Sequence, residues 1–167
     1  MADRQTWVIA ALRRYERPLV RYARRLTGDL ESARDVVQEC FLRLCRQRRE
    51  RVESHLAPWL FSVCRNLAID RLRKEGRMET LDDSTLEAAG NPVVRLERVE
   101  RADSLVACIE TLPARQREIL RLKFEESLSY RQIAEVTKLS VSNVGFILHT
   151  AIRALRSALG DQLREVS

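Results

Sequence analysis

Glycine and proline are scarce, five and four among 167 residues. Both interrupt helices. Charged residues make up 32% of the chain and Leu, Arg, Ala and Glu abound, so the composition favours helix over sheet and an all-α fold is expected. No apolar stretch approaches the roughly 20 residues that a membrane-crossing helix needs, and no early run resembles a signal peptide. A cytoplasmic protein without membrane insertion is the expectation. Cys40, Cys45, Cys64 and Cys108 form no C-x-x-C pair and each lies among apolar residues, so they read as buried small hydrophobes. His55 and His149 have no cysteine at ligand spacing, and neither a metal nor a cofactor is expected. A phosphate loop and a nucleophile and base at suggestive spacing are missing too, which argues against an enzyme.

What is present is a hydrophobic content of 45%, enough for real cores, and a formal charge of +6 that suits a polyanionic partner. Apolar residues recur at helical spacing from Trp7 to Leu26, disturbed by Pro18, and predict two short helices or one kinked one, stopped at Gly28. Asp29 is placed to cap a second helix whose Ala33, Val36, Val37, Cys40, Phe41 and Leu44 form an apolar stripe. Its other face carries Asp35, Gln38, Glu39 and Arg43. After a polar turn over residues 50–55, Pro58 suits a first helical position. The helix that follows is apolar on Leu60, Val63, Cys64 and Leu67, with Ser62, Asn66, Asp70 and Arg73 on another face.

Composition shifts at residues 76–92, where Glu79, Asp82, Asp83 and Glu87 stand against one base among small and turn-forming residues. That is linker composition. Two small helical domains are therefore expected, residues 1–75 and 93–167. In the second, Pro113 breaks one helix and starts another. Ser129 with Gln132 makes a capping box for a short helix through Val136. Leu139 plugs a turn, Ser140 can cap the next helix, and Val144, Leu148, Ala151 and Leu155 give it an inward stripe. A short helix, a tight turn and a longer helix make the DNA-binding helix-turn-helix pattern. The turn position usually given to glycine is Lys138, where a left-handed backbone costs roughly 1 kcal/mol.

Taken in order, "RYARRLTGDLESARDVVQECFLRL", "PWLFSVCRNLAIDRLRK", the acidic linker and "LPARQREILRLKFEESLSYRQIAE" resemble a bacterial RNA polymerase sigma factor of the extracytoplasmic-function (ECF) subfamily. The resemblance implies a region 2 helical bundle at residues 1–75, a flexible linker at 76–92 and a region 4 helix-turn-helix at 93–167. It also implies binding to core RNA polymerase, recognition of the minus-10 and minus-35 promoter elements in transcription initiation, and an anti-sigma factor as a candidate further partner. In region 2, Asp35, Gln38 and Glu39 match the polymerase-binding helix, and Arg43 and Asn66 match positions lining a pocket for a flipped minus-10 base. An amide can read a base edge by donating and accepting. The loop at residues 48–54 resembles the base-reading loop but lacks an aromatic residue. Trp59 is a candidate for separating strands, or else a core anchor. Arg65, Arg71, Arg73, Lys74 and Arg77 form a basic group suited to phosphate.

One stretch departs from the family. "SVSNVGFILHT", residues 140–150, holds no Lys, Arg, Asp or Glu where the reading helix belongs. The usual charged set is replaced by Asn143, Gly145, Phe146, Ile147 and Thr150. Phosphate affinity is then expected from Arg115, Arg117, Arg121, Lys123, Arg131, Arg153 and Arg156. Base discrimination falls to Ser142, Asn143 and His149 as polar groups, and to Phe146 or Thr150 against a thymine methyl, with Gly145 allowing close approach. The alternative is that Phe146 and Ile147 dock a protein. At the level of the whole chain, a sigma-like decoy that binds a sigma regulator without promoter activity shares this fold, and an ordinary repressor shares only the helix-turn-helix.

Overall fold

The computed structural model describes residues 2–76 and 101–165. Among them the regular structure is entirely helical, in agreement with the composition. The chain divides into two compact units: residues up to Gly76 group with 135–138, and residues 101–134 group with 139–165.

In the first unit α1 (Ala2–Thr27) runs unbroken through Pro18. Of the two sequence expectations, a single helix is the outcome. It ends as expected at Gly28, whose φ of +89° is left-handed and whose N–H donates to the Arg24 carbonyl at 2.8 Å. Thr27 is buried and donates its hydroxyl to the Ala23 carbonyl at 2.9 Å, which tightens the same turn. The Asp29 carboxylate then accepts from the Ser32 N–H at 2.7 Å and caps α2 (Leu30–Cys45). All six residues of the expected α2 stripe are buried.

α4 (Leu56–Lys74) packs against both α1 and α2, while α1 packs on α2. Two partners bury a wider arc than one stripe supplies. Phe61, Ala68 and Leu72 therefore join Leu60 and Cys64 in the core, whereas Val63 and Leu67 are only half-buried. Tyr22 meets Phe61 edge-on with ring centroids 5.3 Å apart, an arrangement that contributes about 0.5–1.5 kcal/mol beyond the buried area. The expected polar turn before α4 is itself helical, as α3 (Arg49–Val52) and a 3-10 turn at Glu53–His55. Pro58 consequently sits third in α4, still within the first turn, where its missing N–H has no intrahelical partner to lose.

In the second unit α5 (Arg101–Thr111) and α6 (Ala114–Phe124) both pack on α8 (Val141–Glu165). Pro113 caps α6, and Val144, Leu148, Ala151 and Leu155 of α8 are buried as the spacing predicted. The linker expected at residues 76–92 lies, apart from Gly76, outside the described residues, as do residues 93–100 of the second block. Cys40, Cys64 and Cys108 are buried, but Cys45 is exposed because it is the last residue of α2, one step past the stripe that ends at Leu44. A hydrogen bond with Cys40, then burial, pushes the Cys64 thiol well above its ordinary pKa. The Cys64 thiol packs as a neutral apolar group.

Candidate nucleic-acid interface

Two surfaces carry the residues expected to act, one in each unit. On the first, α2 turns Asp35 and Gln38 to solvent opposite its buried stripe, with Glu39 half-buried beside them. Both carboxylates are already bonded to arginines assigned to DNA. Asp35 Oδ2 accepts from Arg71 Nη1 at 3.2 Å, and Glu39 Oε1 accepts from Arg43 Nε at 3.2 Å. Arg71 also donates to Glu75 at 3.2 Å. The Glu39–Arg43 pair is one turn apart on α2, but the Asp35–Arg71 pair joins two helices and places the last turn of α4 against the first turns of α2.

Asn66 and Trp59 are half-buried on α4, and Arg73 and Lys74 are exposed at its end. Arg65 does not belong with them. It is only 7% exposed, since α4 is enclosed on two sides and position 65, next to the buried Cys64, falls within the hidden arc. Among the described residues the basic surface group thus reduces to Arg71, Arg73 and Lys74, and Arg77 lies outside them. Ser62 shares the Asn66 face one turn earlier, and its buried hydroxyl has no hydrogen-bond partner among the described residues. The segment at residues 48–54 is rigidified locally by Arg49, which donates to Glu53 at 2.7 Å. That hydrogen bond holds the Glu53 carboxyl below the usual carboxylate range. Arg4 of α1, which no sequence pattern singled out, donates to the carbonyls of Cys45 and Gln47 and ties down the end of α2.

The second surface is the helix-turn-helix formed by α7 (Tyr130–Thr137) and α8. Its capping box is reciprocal: the Ser129 N–H donates to Gln132 Oε1 at 2.9 Å, and the Gln132 N–H donates to Ser129 Oγ at 3.2 Å. Ser140 Oγ accepts from the Asn143 N–H at 3.1 Å and starts α8. Between them Lys138 has φ +59°, the left-handed conformation usually left to glycine. The turn keeps its shape and the lysine carries the strain.

Ser142, Asn143 and His149 are exposed along α8, Thr150 is half-buried, and Phe146 is 70% exposed. The Thr150 hydroxyl donates back to the Phe146 carbonyl at 2.9 Å, which leaves its methyl as the group to offer a base. Arg153 Nη2 lies 3.2 Å from His149 Nε2. Arginine only donates, so the imidazole nitrogen is the acceptor in this contact. Gly145 faces the Tyr130 ring, which would lie 3.5 Å from an added Cβ. The surroundings that the structure gives position 145 are thus another side chain of the same unit. Lys123 Nζ sits over the Tyr130 ring, 5.4 Å from its centroid. Arg117 and Arg121 also have internal work: both bond the Glu110 carboxylate, joining α6 to α5. Of the arginines expected to meet phosphate, Arg131, Arg153 and Arg156 are the exposed ones.

Residues 11–78 match the family Sigma-70 region 2 and residues 102–155 match Sigma-70, region 4. The chain is 36% identical over 154 residues to the ECF RNA polymerase sigma factor SigL of Mycobacterium tuberculosis, covering 86% of this chain and 83% of that one. It is 31% identical over 176 residues to the RNA polymerase sigma-H factor of Pseudomonas aeruginosa, covering 98% and 91%. Among solved structures, the sigma factor RpoE of Bartonella quintana, determined in complex with the anti-sigma factor NepR, superposes with a TM-score of 0.62 at 22% identity over 90% of this chain and 95% of that one, which shows a shared fold. No described helix is long and apolar enough to cross a membrane. A factor that directs promoter-specific transcription initiation is what these matches support, and they do not favour the decoy reading. Two sigma-70 regions in the right order, together with relatives that align over most of their length, place this chain in the family of ECF RNA polymerase sigma factors.

Proposed function

We propose that the α2 face of Asp35, Gln38 and Glu39 binds core RNA polymerase, that Arg43 and Asn66 receive a flipped minus-10 base, and that α8 reads the minus-35 element with neutral groups. The observation that carries this reading is the pairing of acids and bases on one face, Asp35 with Arg71 and Glu39 with Arg43. Exposed ion pairs contribute only about 0–1 kcal/mol. A basic polymerase surface can therefore take the carboxylates at little cost, and phosphate can take the arginines. Trp59 stands on α4 between these groups in sequence, placed to support separated strands. Arg71, Arg73 and Lys74 supply phosphate contacts.

On α8 the reading set is Ser142, Asn143, His149 and Thr150, with Phe146 against a thymine methyl, while Arg131 and Arg153 anchor the backbone. The domain limits are 1–75, 76–92 and 93–167, with the acidic linker between two DNA-binding units; the region 4 match at 102–155 supports the third. Catalysis belongs to the polymerase and the chain itself is not an enzyme. Its place of action is the cytoplasm. The complex of the Bartonella relative with NepR supports an anti-sigma factor as a regulator of this chain too.

The test is reconstitution with core polymerase and sequencing of the transcripts started on a genomic library. Transcripts sharing two upstream elements are the expected result. Polymerase binding without any specific start site would overturn the proposal in favour of a decoy.

A further inference from the structure

At the end of the first unit, α1 and the start of α2 enclose an open groove of about 730 Å³. Of its nine lining residues five are arginines, Arg17, Arg21, Arg24, Arg25 and Arg34, and one, Glu16, is acidic. All five arginines are exposed. None of them belongs to the surfaces described above. We infer that this groove binds the phosphate backbone of DNA, a third contact that reads no sequence.

Several features favour a nucleic-acid strand over other anions. Arg17, Arg21, Arg24 and Arg25 recur at helical spacing along one side of α1, and from Arg17 to Arg25 the helix rises about 12 Å. One DNA strand advances about 3.4 Å per phosphate, so the row spans roughly three to four phosphates, whereas a free phosphate would fill one position. Arg34 stands on the α2 wall of the groove. The rest of the lining, Glu16, Val20, Gly28 and Leu30, offers no aromatic ring for a base to stack on. An acidic protein would usually be held by a buried aromatic or large apolar anchor, and the groove has only Val20 and Leu30 to provide one. Finally, the Asp35–Arg71 ion pair brings the end of α4, with exposed Arg73 and Lys74, beside the start of α2. Arg34 of the groove and Asp35 of that ion pair are thus neighbours at the start of α2, and the inference rests on the minus-10 reading above for its partner.

The test combines Arg17→Ala, Arg24→Ala and Arg34→Ala in the full chain, assembled with core polymerase and titrated onto promoter DNA over a salt series. Promoter binding by the wild-type assembly establishes the sigma reading separately. The variant should then bind more weakly at every sequence, with its slope of log affinity against log salt shallower by up to about 2.7 for three lost phosphates. Its start site and its affinity for core polymerase should stay the same, and lysine at all three positions should restore the slope. A wild-type slope in the alanine variant overturns the inference. So does a fall in core affinity with no change of slope, which would mark the groove as a site for an acidic protein surface. Should the wild-type assembly bind no promoter, the free chain titrated with a non-promoter duplex still reads the groove: a shallower slope in the variant supports it and an equal slope overturns it.

Discussion

On α2 and α4 charged side chains facing solvent are bonded to one another, Asp35 to Arg71 across the two helices and Glu39 to Arg43 along α2. On α8 the first charge after Ser140 is Arg153, about three and a half turns along. The two units therefore prepare for binding differently. The first holds exchangeable ion pairs, each weak in water, that a partner of either sign can replace. The second presents hydroxyl, amide, imidazole and an exposed phenyl ring, groups that discriminate by shape and hydrogen bonding but draw in no polyanion from a distance.

The comparison breaks most sharply at Asp35 and Glu39. Reversing both charges, as Asp35→Lys with Glu39→Lys, should weaken core polymerase binding by several kcal/mol, because two like-charge contacts replace two attractive ones. Helical content should not change, since both groups lie on the surface; a pull-down titration with circular dichroism checks both. Next in size is Asn66→Ala. Leaving a flipped base without its amide partner should cost about 1–3 kcal/mol of open complex, seen as lost permanganate reactivity of minus-10 thymines, with closed-complex binding retained. Wild-type reactivity would make Asn66 a structural residue.

The second unit yields more selective effects. Asn143→Ala or His149→Ala should relax preference at one or two base pairs by roughly 1–3 kcal/mol each without altering the salt slope. Arg131→Ala should weaken all sequences alike and flatten that slope by about 0.9. A minus-35 randomised promoter pool separates these outcomes. If Phe146→Ala abolished activity while no α8 variant changed the selected sequence, the helix would be a protein-docking surface. Removing a cap by Ser140→Ala should destabilise the second unit by about 0.5–2 kcal/mol in urea titration. Lys138→Gly, relieving the left-handed backbone, should stabilise it by about 0.5–1 kcal/mol, less than the full strain because glycine is freer when unfolded.

Local chemistry made a large part of this protein legible from its residues. The α2 stripe, the Asp29 and Ser140 caps, the Ser129–Gln132 capping box, the Gly28 stop and the inward face of α8 are each set within about two helical turns, where periodicity and hydrogen-bonding capacity act. The strain at Lys138 was legible for the same reason, since the turn between two capped helices demands one backbone conformation. Other features depended on which helices meet. Arg65 is buried because α4 lies against two partners, a fact that one helix's pattern does not contain. Asp35 finds Arg71 across 36 residues, Glu110 takes Arg117 and Arg121, and Gly145 faces Tyr130. The arginine groove arises only when the end of α1 is set beside the start of α2. The sequence by itself determined the Gly28 stop, the caps of α2, α7 and α8 and the stripes that α2 and α8 must hide, because those depend on near neighbours; tertiary packing decided which charges remain available, because a charge is paired or exposed according to what is brought against it.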